Sequence, residues 1–269
     1  MTRFAVGVEY DGGCFSGWQQ QDGLSTVQAV LETSLAQLLD HPVSVTGAGR
    51  TDAGVHARCL VAHFDTAAKR SERALVLGTN TGLPSTVAVR WARAVPDHFH
   101  ARYSAQARTY RYCILNRQAR PGLAAGRVAF VHRPLQVEPM EEAGQLLLGS
   151  HDFSAFRAAE CQAKSPVRDL WQLRVQRSGE FVLMEITANA FLHHMVRNIA
   201  GLLIHVGMGE APPALAQQVL GARDRRLAPA TAPAAGLYLW RVHYPAVFGL
   251  PDDSDIMAAA AGCPADLMV

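Results

Sequence analysis

Lysine is scarce in this chain. Only Lys69 and Lys164 stand among its 25 basic residues, and the other 23 are arginines. No apolar run approaches the ~20 residues that a membrane-spanning helix needs. Nor does the composition, with 49% hydrophobic residues, match a wholly disordered chain. Five cysteines stand at 14, 59, 113, 161 and 263, odd in number and far apart, and no CxxC occurs. That argues against a disulfide framework and a cysteine zinc site, and it fits a reduced cytoplasm. There is no Gly-x-Ser-x-Gly elbow for a serine nucleophile and no Gly-Lys-Ser/Thr phosphate loop. Around Asp52, His56 and His63 no carboxylate repeat or HxxxH completes a ligand set, so no metal is expected.

Charge is present but unevenly placed. The net value of +2 includes residues 249–269, which hold four aspartates and no Lys or Arg. Without them, 25 basic face 19 acidic groups, an excess of +6. Arginine forks grip phosphate in pairs of hydrogen bonds and stack on bases. A GC-rich coding sequence explains the arginines equally well, so the excess permits nucleic-acid binding without requiring it. The opening MTRFAVGVEYDGG meets acid too soon for a secretory signal. The expectation is a soluble, cytoplasmic protein with no membrane association.

Periodicity divides the rest. Phe4–Tyr10 reads as a strand ending in the turn Asp11-Gly12-Gly13. Ser25 and Gln28 have capping-box spacing, and Val27, Val30, Leu31, Leu35, Leu38 and Leu39 form a helical stripe stopped by His41-Pro42. Strands at Val43–Val45 and Cys59–Phe64 complete a β-α-β-β unit. A helix near Glu72–Leu77 and a strand at Val87–Val95 follow. The second half repeats the outline: strand Thr109–Leu115, helix Pro139–Leu148, strands Leu170–Gln176 and Phe181–Ala188, helices Phe191–Val206 and Pro213–Leu220, strand Leu237–Tyr244. Helices mixed with mostly antiparallel strands predict an α+β fold. The expected division is 1–104, 105–248 and a flexible acidic tail, 249–269.

Four stretches carry candidate chemistry. In GAGRTDAGVHA (Gly47–Ala57), Arg50 and Asp52 share a face of an extended segment flanked by glycines, an arrangement in which the cation orients the acid. A lone carboxylate beside a cation suits nucleophilic attack or charge stabilisation; a structural turn with a local ion pair fits the same residues. In ARTYRY (Ala107–Tyr112), Arg108, Tyr110 and Tyr112 alternate on one strand face, as a base-stacking surface or as an ordinary half-buried strand. In FLHHMVRNIAGLLIHVG (Phe191–Gly207), Leu192, Val196, Ile199, Leu203 and Val206 make the core stripe, and Arg197 lies off it, facing solvent or a cleft. His193 and His194 read as capping or packing residues. Gly236–Trp240 (GLYLW) reads as core packing, with Leu237 and Leu239 on one face.

Taken together and in order, EYDG…GWQ (Glu9–Gly12, Gly17–Gln19), GRTDAGVHA (Gly49–Ala57), FHARYSA…RTYRY (Phe99–Ala105, Arg108–Tyr112), FLHHMVRN (Phe191–Asn198) and GLYL (Gly236–Leu239) closely resemble the tRNA pseudouridine synthase A (TruA) family over residues 3–245. GRTDAGVHA is the most specific of these. One departure is Leu60, where the family often has glutamine.

The resemblance implies the pseudouridine synthase fold: two α/β halves joining their sheets, with a cleft between them. It implies a homodimer gripping tRNA and isomerising uridine to pseudouridine at positions 38, 39 and 40 of the anticodon stem-loop, without cofactor or metal. By that likeness Asp52 is the nucleophile and Tyr110 stacks on the uracil. Arg197 pairs with the carboxylate, Arg50 meets a backbone phosphate, and Leu237 or Leu239 forms an apolar wall. An idle tRNA-binding or RNA-folding protein on the same scaffold is the alternative.

Overall fold

A computed structural model describes residues 1–251, so the acidic segment from Asp252 onward, most of the expected tail, lies outside the described residues. In chain order the strands are β1 (Thr2–Tyr10), β2 (Thr46–Gly47), β3 (His56–Thr66), β4 (Val87–Val95), β5 (Ala107–Asn116), β6 (Ala129–Val131), β7 (Gly149–Asp152), β8 (Val167–Ser178), β9 (Phe181–Ala188) and β10 (Leu237–His243). The α-helices are α1 (Val27–Leu39), α2 (Glu72–Gly82), α3 (Val137–Gln145), α4 (Met195–Gly207) and α5 (Leu215–Ala222). No helix among the described residues is long and apolar enough to cross a membrane. Helices and mixed sheets give the α+β organisation that the patterning implied.

The described residues fold as two compact units: Met1–Gln106 with 238–251, and Ala107–Leu237. In the first, the strand order is β4-β1-β3-β10. The β1 strand pairs antiparallel with β3 and β4, while β10 joins β3 in parallel, Tyr238 opposite His56. Helix α1 packs on α2, and α2 on β4. Phe4, Leu31, Leu35, Phe64 and Leu75 are buried there, each contributing about 1.5–3 kcal/mol relative to exposure.

Helix α1 begins one residue later than its capping-box spacing suggests. Thr26, not Ser25, accepts the hydrogen bond from Ala29 N at 3.4 Å. Gln28 is used elsewhere. Its Nε2 donates to Val45 O at 3.1 Å, and Glu32 Oε1 accepts from Val45 N at 2.8 Å. This explains why Val43–Val45 is not a strand: helix side chains have taken the backbone groups of Val45, and the ladder starts only at β2. Along the free edge of β4, Asn80 plays the same part. Its Oδ1 accepts from Val89 N at 2.7 Å and its Nδ2 donates to Val89 O at 2.9 Å.

In the second unit the order is β5-β9-β8-β7, all antiparallel, with β6 parallel to β5. Both short strands, β6 and β7, escape sequence patterning because they are only three and four residues long. Helix α3 packs on β8 and α4. Where β7 ends, α3 supplies substitutes for the missing strand: Glu141 accepts from Val175 N, and Gln145 Nε2 donates to Leu173 O at 2.9 Å. The predicted α4 stripe, Leu192, Val196, Ile199, Leu203 and Val206, is buried throughout. Burial pushes the Cys113 thiol up to about 12, so it is a core residue and no thiolate nucleophile.

Candidate functional site

The glycine-rich segment carrying Asp52 runs between β2 and β3 in the first unit. Its shape is imposed by the EYDG…GW stretch. The Tyr10 hydroxyl lies 2.8 Å from Thr51 Oγ1, both buried. Trp18 N donates to Thr51 O at 3.1 Å. Gly12 N donates to His56 Nδ1 at 3.1 Å, and His56 is only 2% exposed. The turn closes on itself through Val55 N and Asp52 O, 3.1 Å apart.

Two glycines make this cradle possible. A Cβ on Gly12 would stand 2.0 Å from Val55 O. Gly17 has φ +95°, and a Cβ there would stand 2.5 Å from Thr51 O. No side chain fits at either place without moving backbone. Thus Asp52, half-buried, rides on a loop held from below by residues about forty positions earlier.

Arg50 differs from the local expectation. It is exposed and forms no ion pair among the described residues, Asp52 included. Of the three consecutive residues Arg50 is exposed, Thr51 turns inward to Tyr10, and Asp52 is half-buried.

From β10, Tyr238 stacks on His56 with ring centroids 4.7 Å apart, and Trp240 receives the Arg58 guanidinium at 4.4 Å. These are cross-strand pairs set by the parallel register. They place the aromatic face of β10 against the base of the Asp52 loop, while Leu237 and Leu239 are buried.

The second unit holds Tyr110, Arg197 and Leu237. Tyr110 is half-buried, with its ring edge-on to Phe191 at 5.0 Å. Tyr112, two residues on, is fully buried, and its hydroxyl donates to Pro233 O at 2.8 Å. On the other face of β5, Thr109 bonds Thr187 at 2.8 Å, and Arg111 pairs with Glu185 at 2.7 Å. That face is closed by cross-strand contacts.

Arg197, in the first turn of α4, sends Nε to Ala232 O at 2.9 Å and accepts Ala232 N on its own carbonyl at 3.1 Å. Next to it, Asn198 is 1% exposed. It donates to Phe156 O at 2.7 Å and accepts from Thr231 Oγ1 at 2.6 Å and Arg225 at 3.1 Å. His194 occupies the N-cap at φ 62°, its ring 4.1 Å from that of His193, but its side chain makes no cap hydrogen bond.

Nothing in the sequence marks Tyr10, Thr51 or Asn198 as functional, although each lies within a motif that carries the family resemblance. Their partners are distant in sequence, so no spacing marks them.

A family model described as tRNA pseudouridine synthase matches residues 7–104 and 143–245. The matched segments contain Arg50, Asp52, Arg197 and Leu237; Tyr110 falls in the interval between them. The tRNA pseudouridine synthase A of Nitrosococcus oceani is 56% identical over 249 residues, 93% of this chain and 96% of that protein. That of Vibrio cholerae serotype O1 is 54% identical over 250 residues, 93% and 95% of the two chains. That of Methylococcus capsulatus is 54% identical over 252 residues, 94% and 93%. At this identity and coverage, with the glycine-cradled aspartate in place, the chain belongs to the tRNA pseudouridine synthase A family.

Proposed function

We propose that this chain isomerises uridine to pseudouridine at positions 38, 39 and 40 of the tRNA anticodon stem-loop, with Asp52 as nucleophile. Membership of the family makes it an isomerase that converts uridine to pseudouridine in tRNA. The positions and the residue roles are our reading.

The reaction breaks the N1–C1′ glycosidic bond and forms a C5–C1′ bond; the C5 hydrogen leaves as a proton and N1 takes one up. No electrons are gained or lost overall, so no redox cofactor is needed. The base or the sugar must be held while the uracil turns. A carboxylate does this by adding to C6 or C1′, or it acts as a base at C2′ on a glycal route. A serine alcohol, un-ionised at neutral pH, is a far poorer partner.

The observation that carries the proposal is the braced loop: a carboxylate on a segment fixed by Tyr10, Trp18 and two obligatory glycines. Preorganisation of this kind lets a single acid act at a defined atom. Tyr110, already packed on Phe191, supplies a surface for a uracil taken out of its stack. Arg197 supplies the charge that offsets the carboxylate, its orientation fixed by Ala232. Arg50 meets a phosphate, and Leu237 gives an apolar wall. The working form is a cytoplasmic homodimer that uses no metal.

Tritium release from [5-³H]uridine-labelled tRNA tests the reading. Wild type should release tritium and Asp52→Ala should not. Release that persists in Asp52→Ala removes the nucleophile assignment. Substrates lacking uridine at 38, 39 or 40 in turn test the positions.

A further inference from the structure

The FHARYSA stretch contains none of the residues assigned to catalysis, yet it is held by a dense set of hydrogen bonds. Its base is buried. Phe99 and Ala101 have no exposure, Arg3 donates to Phe99 O at 2.9 Å, His63 Nδ1 accepts from Ala101 N at 3.2 Å, and Tyr244 donates to Ala101 O at 2.6 Å. Above this base the chain closes on itself. His100 N donates to Ser104 Oγ at 3.0 Å, and Ser104 N to His100 O at 2.9 Å. His100 Nδ1 accepts from both Arg102 N and Tyr103 N, at 3.1 and 3.2 Å.

This order serves to present one exposed ring. Tyr103 is 78% exposed. The His100 imidazole lies against it, centroids 4.3 Å apart at 32°, and the exposed Arg102 guanidinium stands 5.9 Å from its centre. The backbone amides occupy Nδ1, and burial together with the Arg3 and Arg102 charges lowers the His100 pKa. A rigidly held aromatic with a cation beside it, facing water, has the chemistry of a platform for an unpaired base and its phosphate. A ring held in advance costs little entropy on binding.

We propose that Tyr103, with Arg102, is a second RNA-stacking site of this protein, distinct from the Tyr110 position, which seats an unpaired tRNA base outside the reacting nucleotide. The proposal rests on the tRNA substrate argued above.

Equilibrium filter binding of uridine-containing tRNA transcripts tests it, with wild type, Tyr103→Ala, Tyr103→Phe and Arg102→Gln compared across salt concentrations. Tyr103→Ala should weaken binding about tenfold, the usual scale for one base–aromatic stack, and Tyr103→Phe should bind like wild type. Arg102→Gln should weaken binding and lower the salt slope by about one. Circular dichroism should be unchanged for a ring so exposed. Affinity of Tyr103→Ala within twofold of wild type overturns the proposal. So does a shift in oligomeric state with tRNA affinity intact, which would assign the ring to a protein contact. Tritium release by wild type is measured in parallel, so failure of the stacking site and failure of the functional reading give different results.

Discussion

Tyr10 and Thr51 meet through their hydroxyls, 2.8 Å apart and out of water, and this contact ties the first strand to the residue preceding Asp52. The carbonyl of Thr51 is held as well, by Trp18 N at 3.1 Å. Position 51 is therefore fixed by side chain and main chain together.

Tyr10→Phe removes one side of that contact and leaves the ring. Folding stability should fall by about 1 kcal/mol. Turnover should fall further than stability suggests, about ten- to hundredfold, because small displacements of a reacting group are costly. A cycle with Thr51→Val, read by kcat and by urea midpoint, should show strong coupling between the two residues. Additive effects on kcat would mean the pair does not position the loop.

Gly12→Ala places a methyl 2.0 Å from Val55 O. The obstacle is backbone, so no rotamer change relieves it. The variant should lose about 1–3 kcal/mol of stability, and tritium release should be nearly abolished while the protein remains folded at 25 °C. Wild-type activity in a folded Gly12→Ala protein would show that the close approach is unnecessary.

Asn80→Ala is a test away from the site. It strips both backbone partners from Val89 at the edge of β4. A loss of about 2 kcal/mol is expected in urea unfolding, with kcat unchanged. Asn80→Asp keeps the acceptor for Val89 N and loses the donor for Val89 O, so it should fall between.

Stability should weaken in acid through His63. Burial, with the charges of Arg3 and His100 against it and Asp65 for it, lowers its pKa to about 4, and its Nδ1 accepts from Ala101 N. The unfolded imidazole titrates near 6.5. Above that pH the His63 contribution is complete. As pH falls from about 6.5 toward 4 the unfolded chain takes up a proton that the folded chain refuses, so stability declines across that window and levels off below it. Unfolding midpoints measured from pH 7.5 to 4 should show this slope in wild type and a shallower one in His63→Gln.

Much of the architecture is legible from periodicity. The limits of β4 and β9 coincide with the alternating runs Val87–Val95 and Phe181–Ala188, and the α4 stripe is buried residue for residue. These are local matters, since period and side-chain shape act over a few residues. Order and spacing of motifs also sufficed to reach the family, because GRTDAGVHA and its companions are long.

Other features depend on partners far along the chain. Val43–Val45 has strand composition, but Gln28 and Glu32 claim its backbone. Arg50 and Asp52 look like an ion pair, but Thr51 turns inward to Tyr10 and the pair does not form. Tyr110 and Tyr112 share one strand face by alternation. In the fold the second is buried, its hydroxyl on Pro233 O, and the first is half-buried. By itself the sequence determined the long, strongly periodic segments and which residues carry reactive groups. Tertiary structure decided which of those groups are covered and held, because backbone hydrogen bonds and buried surface are shared between segments that no local pattern connects.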